Sequence, residues 1–389
     1  MLQTIHQIVT GVGNSCMKIS NKLRILELSD VHLGHINTPT THIVDNLMSL
    51  ISRHIGDIDL LIIAGDLFDR QLNFPNPDAM DSIRFIGWLL SQCKRYDVVL
   101  RVLEGTPSHD WQQSRWVGLI NEQQAIGADA KFINTLSIDY IERFDINVLY
   151  IPDEWRTTTH QTRDEVVALL QSKNIDKVDF TVMHGMFPHQ LPPQLRERLE
   201  THDDEFYLDI TRYLVFIGHV HQYSQHRRIL SAGSFDRLTH GDEINKGMVL
   251  THVSENGKFT AELIVNSNAM RYESYRVEDY SADEIHNLLA KLSEELPLKS
   301  YVRLLGNRDS IVTGMMSKLP ETCPRLKLSF KLLDSLKKKD KVVTNVVPKQ
   351  VVGIRRENIK EVFNERIKSK YPPDVVASLS HLLSEFVDE

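Results

Sequence analysis

LRILELSDVHLG, residues 23–34, decides how the chain reads. Leu23–Leu28 is a short, largely apolar run with the length of a buried strand. It runs into Asp30-Val31-His32, a carboxylate and an imidazole two residues apart. The arrangement repeats downstream. Leu60–Ala64 is followed by Gly65-Asp66-Leu67-Phe68-Asp69-Arg70, and Val98–Leu103 by Ser108-His109-Asp110. Phe180–Met183 leads into His184-Gly185, and Val215–Ile217 into Gly218-His219-Val220-His221. Val148–Ile151 and Met248–Val253 are further strand-like runs. Between the early runs lie helical patterns, Ile43, Leu47, Leu50 and Ile51, then Ile83, Ile86, Leu89 and Leu90. Strands alternating with helices of this length predict a layered α/β domain. In such sheets chemistry gathers on loops just past the strand ends.

Taken singly, each segment is ordinary. A lone D-x-H is commonly a turn with a surface histidine, G-D-x-x-D a strand-end turn, and His184 a core histidine. G-H-x-H says more, because alternate residues at a strand end can present two imidazoles at one edge. Together the five segments bring carboxylate and imidazole from five strand ends. Mg²⁺ and Ca²⁺ prefer all-oxygen shells, whereas this mixture suits Mn, Fe or Zn. A carboxylate bridging two ions about 3.5–4 Å apart serves to activate water and polarise a phosphoryl group.

The order D-x-H, G-D-x-x-D-R, an altered G-N-H-D segment, H-G and G-H-x-H resembles the calcineurin-like metallophosphoesterases. Within them it is similar to the SbcD-type DNA repair and recombination nucleases. Gly233-Ser234 followed by Arg237, Gly241, Glu243, Lys246 and Gly247 matches the stretch after their final metal motif. The resemblance implies a layered β-sandwich core flanked by helices, a small α/β cap domain and C-terminal helices. It implies one metal among Asp30, His32, Asp66 and His221, with Asp66 bridging to a second held by Asp66, His184 and His219. The family completes the second set with an Asn; here Ser108 takes that place, in Thr106-Pro107-Ser108-His109-Asp110. A serine hydroxyl is shorter and a poorer ligand, which puts the second ion in doubt and marks a divergent or phage-encoded member. His109 falls where the family keeps a histidine beside the scissile phosphate, with Asp110 placed to hold its tautomer.

The resemblance covers residues 23–253 by motif and continues more loosely. Ser281-Ala282-Asp283-Glu284 is a capping box that opens a helix to about Glu295, with Ile285, Leu288, Leu289 and Leu292 on one face. Strands are expected at Tyr301–Leu305 and Leu326–Leu332. Beyond them, Ile359, Val362, Phe363 and Ile367, then Val375, Val376, Leu379, Leu382, Leu383 and Phe386, form amphipathic stripes broken by Pro372-Pro373. The expected organisation is an extension over 1–22, a nuclease domain over 23–268, a DNA-capping domain over 269–347 and a partner-docking segment over 348–389.

The 389 residues carry a net charge of −7, mild evidence against a nucleic-acid partner, but the average hides a split. Residues 301–360 hold 14 Lys/Arg against 5 Asp/Glu, a net +9 that leaves −16 on the rest. Lys337-Lys338-Lys339, the one charge run, is the candidate DNA-contacting stretch; a solvated loop is its commoner explanation. No run of about 18 apolar residues suggests a membrane span. Cys16, Cys93 and Cys323 are too scattered for a zinc knuckle or disulfide framework and fit reduced cytoplasmic thiols.

The leading expectation is a Mn²⁺-dependent DNA phosphodiesterase with exonuclease and endonuclease activity. The family implies an SbcC-type coiled-coil ATPase partner, homodimerisation, and a bacterial or phage-infected cytoplasm. Two alternatives stand beside it: a stand-alone phosphatase or small-molecule phosphodiesterase, and a catalytically weakened scaffold subunit.

Overall fold

The computed structural model describes residues 22–333, apart from 154, 155, 157 and 197, and residues 375–376. The expected extension over 1–22, Lys337, Lys338 and Lys339, and the helices over 348–389 lie almost wholly outside these residues.

The chain builds two six-stranded sheets in turn. Strands β1 (Leu23–Leu28), β2 (Leu60–Ala64), β3 (Val99–Leu103) and β4 (Ala130–Ile133) run parallel in the first. The chain then crosses to the second sheet, with β5 (Ser137–Ile141), β6 (Ile146–Ile151), β7 (Val178–His184), β8 (Thr211–Gly218), β9 (Ser224–His226) and β10 (Ile229–Ser231). It returns to the first as β11 (Gly247–Val253) and β12 (Phe259–Val265), antiparallel beside β1. The orders are β12-β11-β1-β2-β3-β4 and β5-β6-β7-β8-β10-β9.

Alternation along the strands explains why the two sheets stack. Ile25, Leu60, Ile62 and Val99 of the first sheet meet Val148, Tyr150, Phe180, Val182, Leu214 and Phe216 of the second. The neighbouring residues Leu26, Leu61, Ile63 and Leu100 point the other way, against Ile43, Leu47, Ile86 and Leu89 of helices Thr40–Ser52 and Pro77–Tyr96. On the far side, Leu149, Ile151, Met183 and Ile217 pack on Val166 and Leu170 of helix Thr159–Lys173 and on Tyr207 and Leu208 of helix Asp204–Ile210. Both sheets are thus buried on two faces, which is why their strands read as continuous apolar runs. Each fully buried Leu, Ile, Val or Phe contributes about 1.5–3 kcal/mol. The architecture is a layered α/β sandwich.

Three parallel strands, β13 (Tyr272–Arg276), β14 (Tyr301–Gly306) and β15 (Lys327–Leu332), form a separate sheet. Helix Ala282–Glu295 covers it, placing Ile285, Leu289 and Leu292 against Val302 and Leu304. Ser281 and Glu284 cap the helix reciprocally, as their spacing predicts. This unit meets the sandwich through Tyr272, whose hydroxyl lies 2.9 Å from Thr38 Oγ1 and whose ring stacks on Tyr301 at 4.5 Å between centroids.

Strands β4, β5, β9, β10, β12 and β13 have no counterpart among the runs picked out from sequence. Most are half-exposed or only three residues long, so they lack the apolar continuity that marks a buried strand. Among the described residues no helix is long and apolar enough to cross a membrane.

Candidate metal centre

Parallel pairing brings the C-terminal ends of β1, β2 and β3 together in one sheet, and those of β7 and β8 in the other. The loops beyond them meet at one edge of the sandwich. There the Asp30, His32 and Leu33 N–H groups donate to the carbonyls of Gly65, Asp66 and Leu67 at 3.1, 3.1 and 2.9 Å. This lacing continues the β1–β2 register past the strand ends. It holds Asp30, His32 and Asp66 at φ of 49°, 56° and 50°, and His219 follows β8 at 101°. Left-handed backbone at a non-glycine residue costs on the order of 1–3 kcal/mol and persists where packing enforces it. Gly65, at φ +90°, allows the sheet edges to close: a Cβ there would lie 2.2 Å from His184 Nδ1.

The side chains converge in two sets. Asp30, His32 and His221 place one ligand atom each within 4.8 Å of one another, and so do Asp66, His184 and His219. Asp66 Oδ2 faces both sets, 3.4 Å from His184 Nε2 and 3.9 Å from His32 Nε2. Asp30, His32, Asp66 and His184 are buried. His32 Nε2 lies only 3.1 Å from His221 Nε2. Two imidazole nitrogens that close require a proton or a cation between them, and about 3.4 Å is the separation expected of two ligands on a tetrahedral zinc-type ion. The residues present therefore fit a metal ion, with Asp66 placed between the two sets.

The electrostatics suit such ions. Burial alone would raise the Asp66 pKa, but the charge of His184 and hydrogen bonds from His109 and His184 outweigh it and hold the carboxyl well below its usual range. Burial would likewise lower His184, yet Asp66 reverses this and holds it protonated up to about 10. The His184 Nδ1–H donates to the Ala64 carbonyl at 2.8 Å, which turns Nε2 toward Asp66. A cation beside Asp66 would displace the remaining proton. Desolvation, with the charge of His184, pushes His219 down to about 4, and desolvation lowers His221 as well. Both rings are neutral at pH 7, the form that binds metal.

A further ring of residues fixes these groups. The His219 N–H donates to both Asp30 carboxylate oxygens at 3.0 Å. His32 Nδ1 lies 3.1 Å from Asp69 Oδ1. The buried Lys246 ammonium donates to the His221 carbonyl at 2.7 Å and pairs with Asp242. The Ser234 N–H donates to the same carbonyl at 3.2 Å. The Gly233-Ser234…Lys246 stretch noted in the sequence thus holds the His221 loop, a role its motif alone did not reveal.

Two sequence expectations need correction. Ser108 does not reach the second set: it is exposed, and its carbonyl accepts from the Trp111 indole N–H at 3.1 Å. Thr106 stands there instead. Its Oγ1 lies 3.2 Å from Asp66 Oδ2, 3.3 Å from His184 Nε2 and 3.4 Å from His219 Nδ1, and its N–H donates to Asp66 Oδ1 at 2.5 Å. Pro107 and Ser108 lie between this hydroxyl's residue and His109. Asp110 does not orient His109 either. Its buried carboxylate accepts from the Phe68 and Gly105 N–H groups at 2.8 and 2.7 Å, stapling the two loops. His109 instead places Nδ1 3.0 Å from Asp66 Oδ2, and with His32 and Asp66 it forms a third overlapping set. Its side chain is 37% exposed, so it flanks the centre on the open side.

No family model matches the chain, and no curated protein matches it. Among solved structures, TT1561 of Thermus thermophilus aligns with 62% of this chain and 98% of its own length, at 12% identity and a TM-score of 0.38. A second solved chain covers 62% of this one and 99% of itself, at 9% identity and a TM-score of 0.39. The clustered His and Asp side chains are compatible with a metallophosphoesterase and could hold a metal ion.

Proposed function

We propose that this chain is a Mn²⁺-dependent phosphodiesterase that cleaves DNA, the nuclease subunit of an SbcC/SbcD-type repair and recombination complex. The observation that carries the reading is Asp66, one buried carboxylate shared between two sets of imidazole and carboxylate ligands. Divalent ions held there would polarise a phosphoryl group and lower the pKa of water. Imidazole mixed with carboxylate favours Mn, Fe or Zn over Mg or Ca.

The chain's own groups supply the rest. Against the effect of burial, the charge of His184 and the hydrogen bonds from His109 and His184 hold the Asp66 carboxyl well below the usual carboxylate range, favouring the ionised form that would hold a metal ion. Its hydrogen bond to His109 raises the histidine's pKa, which favours the imidazolium near neutral pH. From the exposed side of the centre, that imidazolium can donate a proton to a leaving oxygen, a contribution of typically about 10²–10⁴-fold. Beside His184 and His219 opens a polar recess lined by the donors Arg156, Thr158, Thr159 and His202 and by the carboxylates Asp153 and Glu200, with Arg156 paired to Glu165.

DNA as the substrate rests on the motif order and on the basic excess over residues 301–360. The amphipathic pattern over 348–389 supports docking on a coiled-coil ATPase, and the family supports a homodimer. The test is Mn²⁺-dependent release from end-labelled duplex and hairpin DNA beside an aryl phosphodiester, with and without a co-expressed coiled-coil ATPase. DNA cleavage stimulated by the ATPase is the expected result. Intact DNA with rapid turnover of the aryl ester identifies a small-molecule phosphodiesterase instead.

A further inference from the structure

A second group of metal-type ligands lies outside the centre described above. His189 sits on the 3₁₀ turn Pro188–Gln190, Asp204 opens helix Asp204–Ile210, and His226 ends β9. These residues share no ligand with the Asp66 centre, yet each places one ligand atom within 4.8 Å of the other two. His226 Nε2 is 3.9 Å from Asp204 Oδ2. The His189 ring lies between Phe187 and His226, with centroids at 5.8 and 4.5 Å. Both His189 ring nitrogens are buried without a hydrogen-bond partner. A buried polar atom left unpaired costs about 1–3 kcal/mol, so an imidazole with both nitrogens idle is a poor choice for packing alone. Phenylalanine or leucine would fill the same space without that cost.

We propose that His189, Asp204 and His226 form a separate site for a divalent transition ion of the zinc class. Two imidazoles and one carboxylate are a zinc-type donor set, with a fourth position left for water. Ligand atoms on a tetrahedral zinc ion stand about 3.4 Å apart, so the set closes by no more than about 1.4 Å from its widest separation. The ion ties the turn at His189 to β9 and to helix Asp204–Ile210. The segment it braces, residues 186–203, begins just after His184 and contains His202, which lines the recess beside the main centre. Its N- and C-terminal parts already touch, through the His202 N–H donating to the Met186 carbonyl at 2.9 Å. The ion would therefore fix one wall of the recess while keeping one coordination position open to water.

The test uses the full chain, freed of metal by chelator dialysis and titrated with Zn²⁺ against a chromophoric chelator. His226→Gln and Asp204→Asn change partly exposed side chains and preserve their size. Each is expected to lose one tight zinc equivalent relative to the parent, with binding at that site weakened at least tenfold. Asp66→Ala, which disrupts the main centre, is expected to keep that equivalent. Zinc should also slow amide exchange across residues 186–203 in the parent and in Asp66→Ala, but not in His226→Gln. An unchanged zinc count in both His226→Gln and Asp204→Asn would overturn the site. Zinc binding that leaves exchange over 186–203 unaltered would overturn its bracing role.

Discussion

Replacing Thr106 by Val exchanges one hydroxyl for a methyl of similar size at the heart of the second ligand set. Thr106 Oγ1 touches three groups of that set at 3.2–3.4 Å and no member of the Asp30, His32, His221 set. Its backbone N–H, bonded to Asp66 Oδ1 at 2.5 Å, is untouched by the change. Hydrogen bonds to charged groups contribute about 1.5–3 kcal/mol. At about 1.4 kcal/mol per decade, losing this hydroxyl should weaken the second ion about 10–100-fold and leave the first near its parent affinity. The assay is Mn²⁺ titration followed by electron paramagnetic resonance, with Ser108→Ala in parallel. Ser108 is exposed, so its variant should match the parent. Unchanged Mn²⁺ affinity in Thr106→Val, or a lost ion in Ser108→Ala, would refute the assignment of the hydroxyl.

Three further outcomes follow from the same geometry. His109→Ser should retain both ions yet slow phosphodiester hydrolysis about 10²–10⁴-fold, since His109 meets Asp66 from the open side; a large loss of bound Mn²⁺ would make it a ligand instead. Lys246→Met leaves Asp242 and the His221 carbonyl without their cation, so urea unfolding should show a loss on the order of 3–5 kcal/mol, and surviving protein should bind the first ion more weakly. Burial pushes Glu104 up to about 7, so its protonated form is the one the fold favours. The stability it contributes is complete below its unfolded pKa and is lost as pH rises from about 4.5 through 7. Glu104→Gln should therefore be more stable than the parent at pH 8 by about 1–3 kcal/mol, with the gap shrinking toward pH 5 in urea unfolding; an equal gap at both pH values would argue against a buried, strained carboxylate.

The buried frame of the molecule was legible because both sheets are covered on two faces. Leu23–Leu28 and Leu60–Ala64 stand in the structure with the bounds their apolar runs suggest. The edge strand Phe259–Val265 alternates half-buried and exposed residues, so no apolar run announces it. The carboxylates and imidazoles of the centre were legible because each directly follows such a run. Thr106 was not, because the resemblance points to the residue directly before His109, which is Ser108, whereas the hydroxyl that reaches the centre lies two residues further back. A signal was nevertheless present in Gly105, the first glycine after β3. A Cβ at Gly105 would lie 2.1 Å from the Asp66 nitrogen, so that glycine marks where the β3 loop meets the centre. Asp110 misled for a related reason: adjacency to His109 suggested a hydrogen bond, whereas the backbone aims its carboxylate at Phe68 and Gly105. The buried Lys246 showed itself only as part of a motif, because the carbonyl it holds belongs to His221, 25 residues earlier.

The proposed role of Asp66 is to join two ligand sets into one phosphodiester-cleaving centre. It is tested most directly by Mn²⁺-dependent cleavage of end-labelled duplex DNA by the parent protein beside Asp66→Ala. The parent is expected to cleave and the variant not to, with bound Mn²⁺ lost from the variant. Cleavage by Asp66→Ala at more than a small fraction of the parent rate, or DNA left intact by the Mn²⁺-loaded parent, would contradict it.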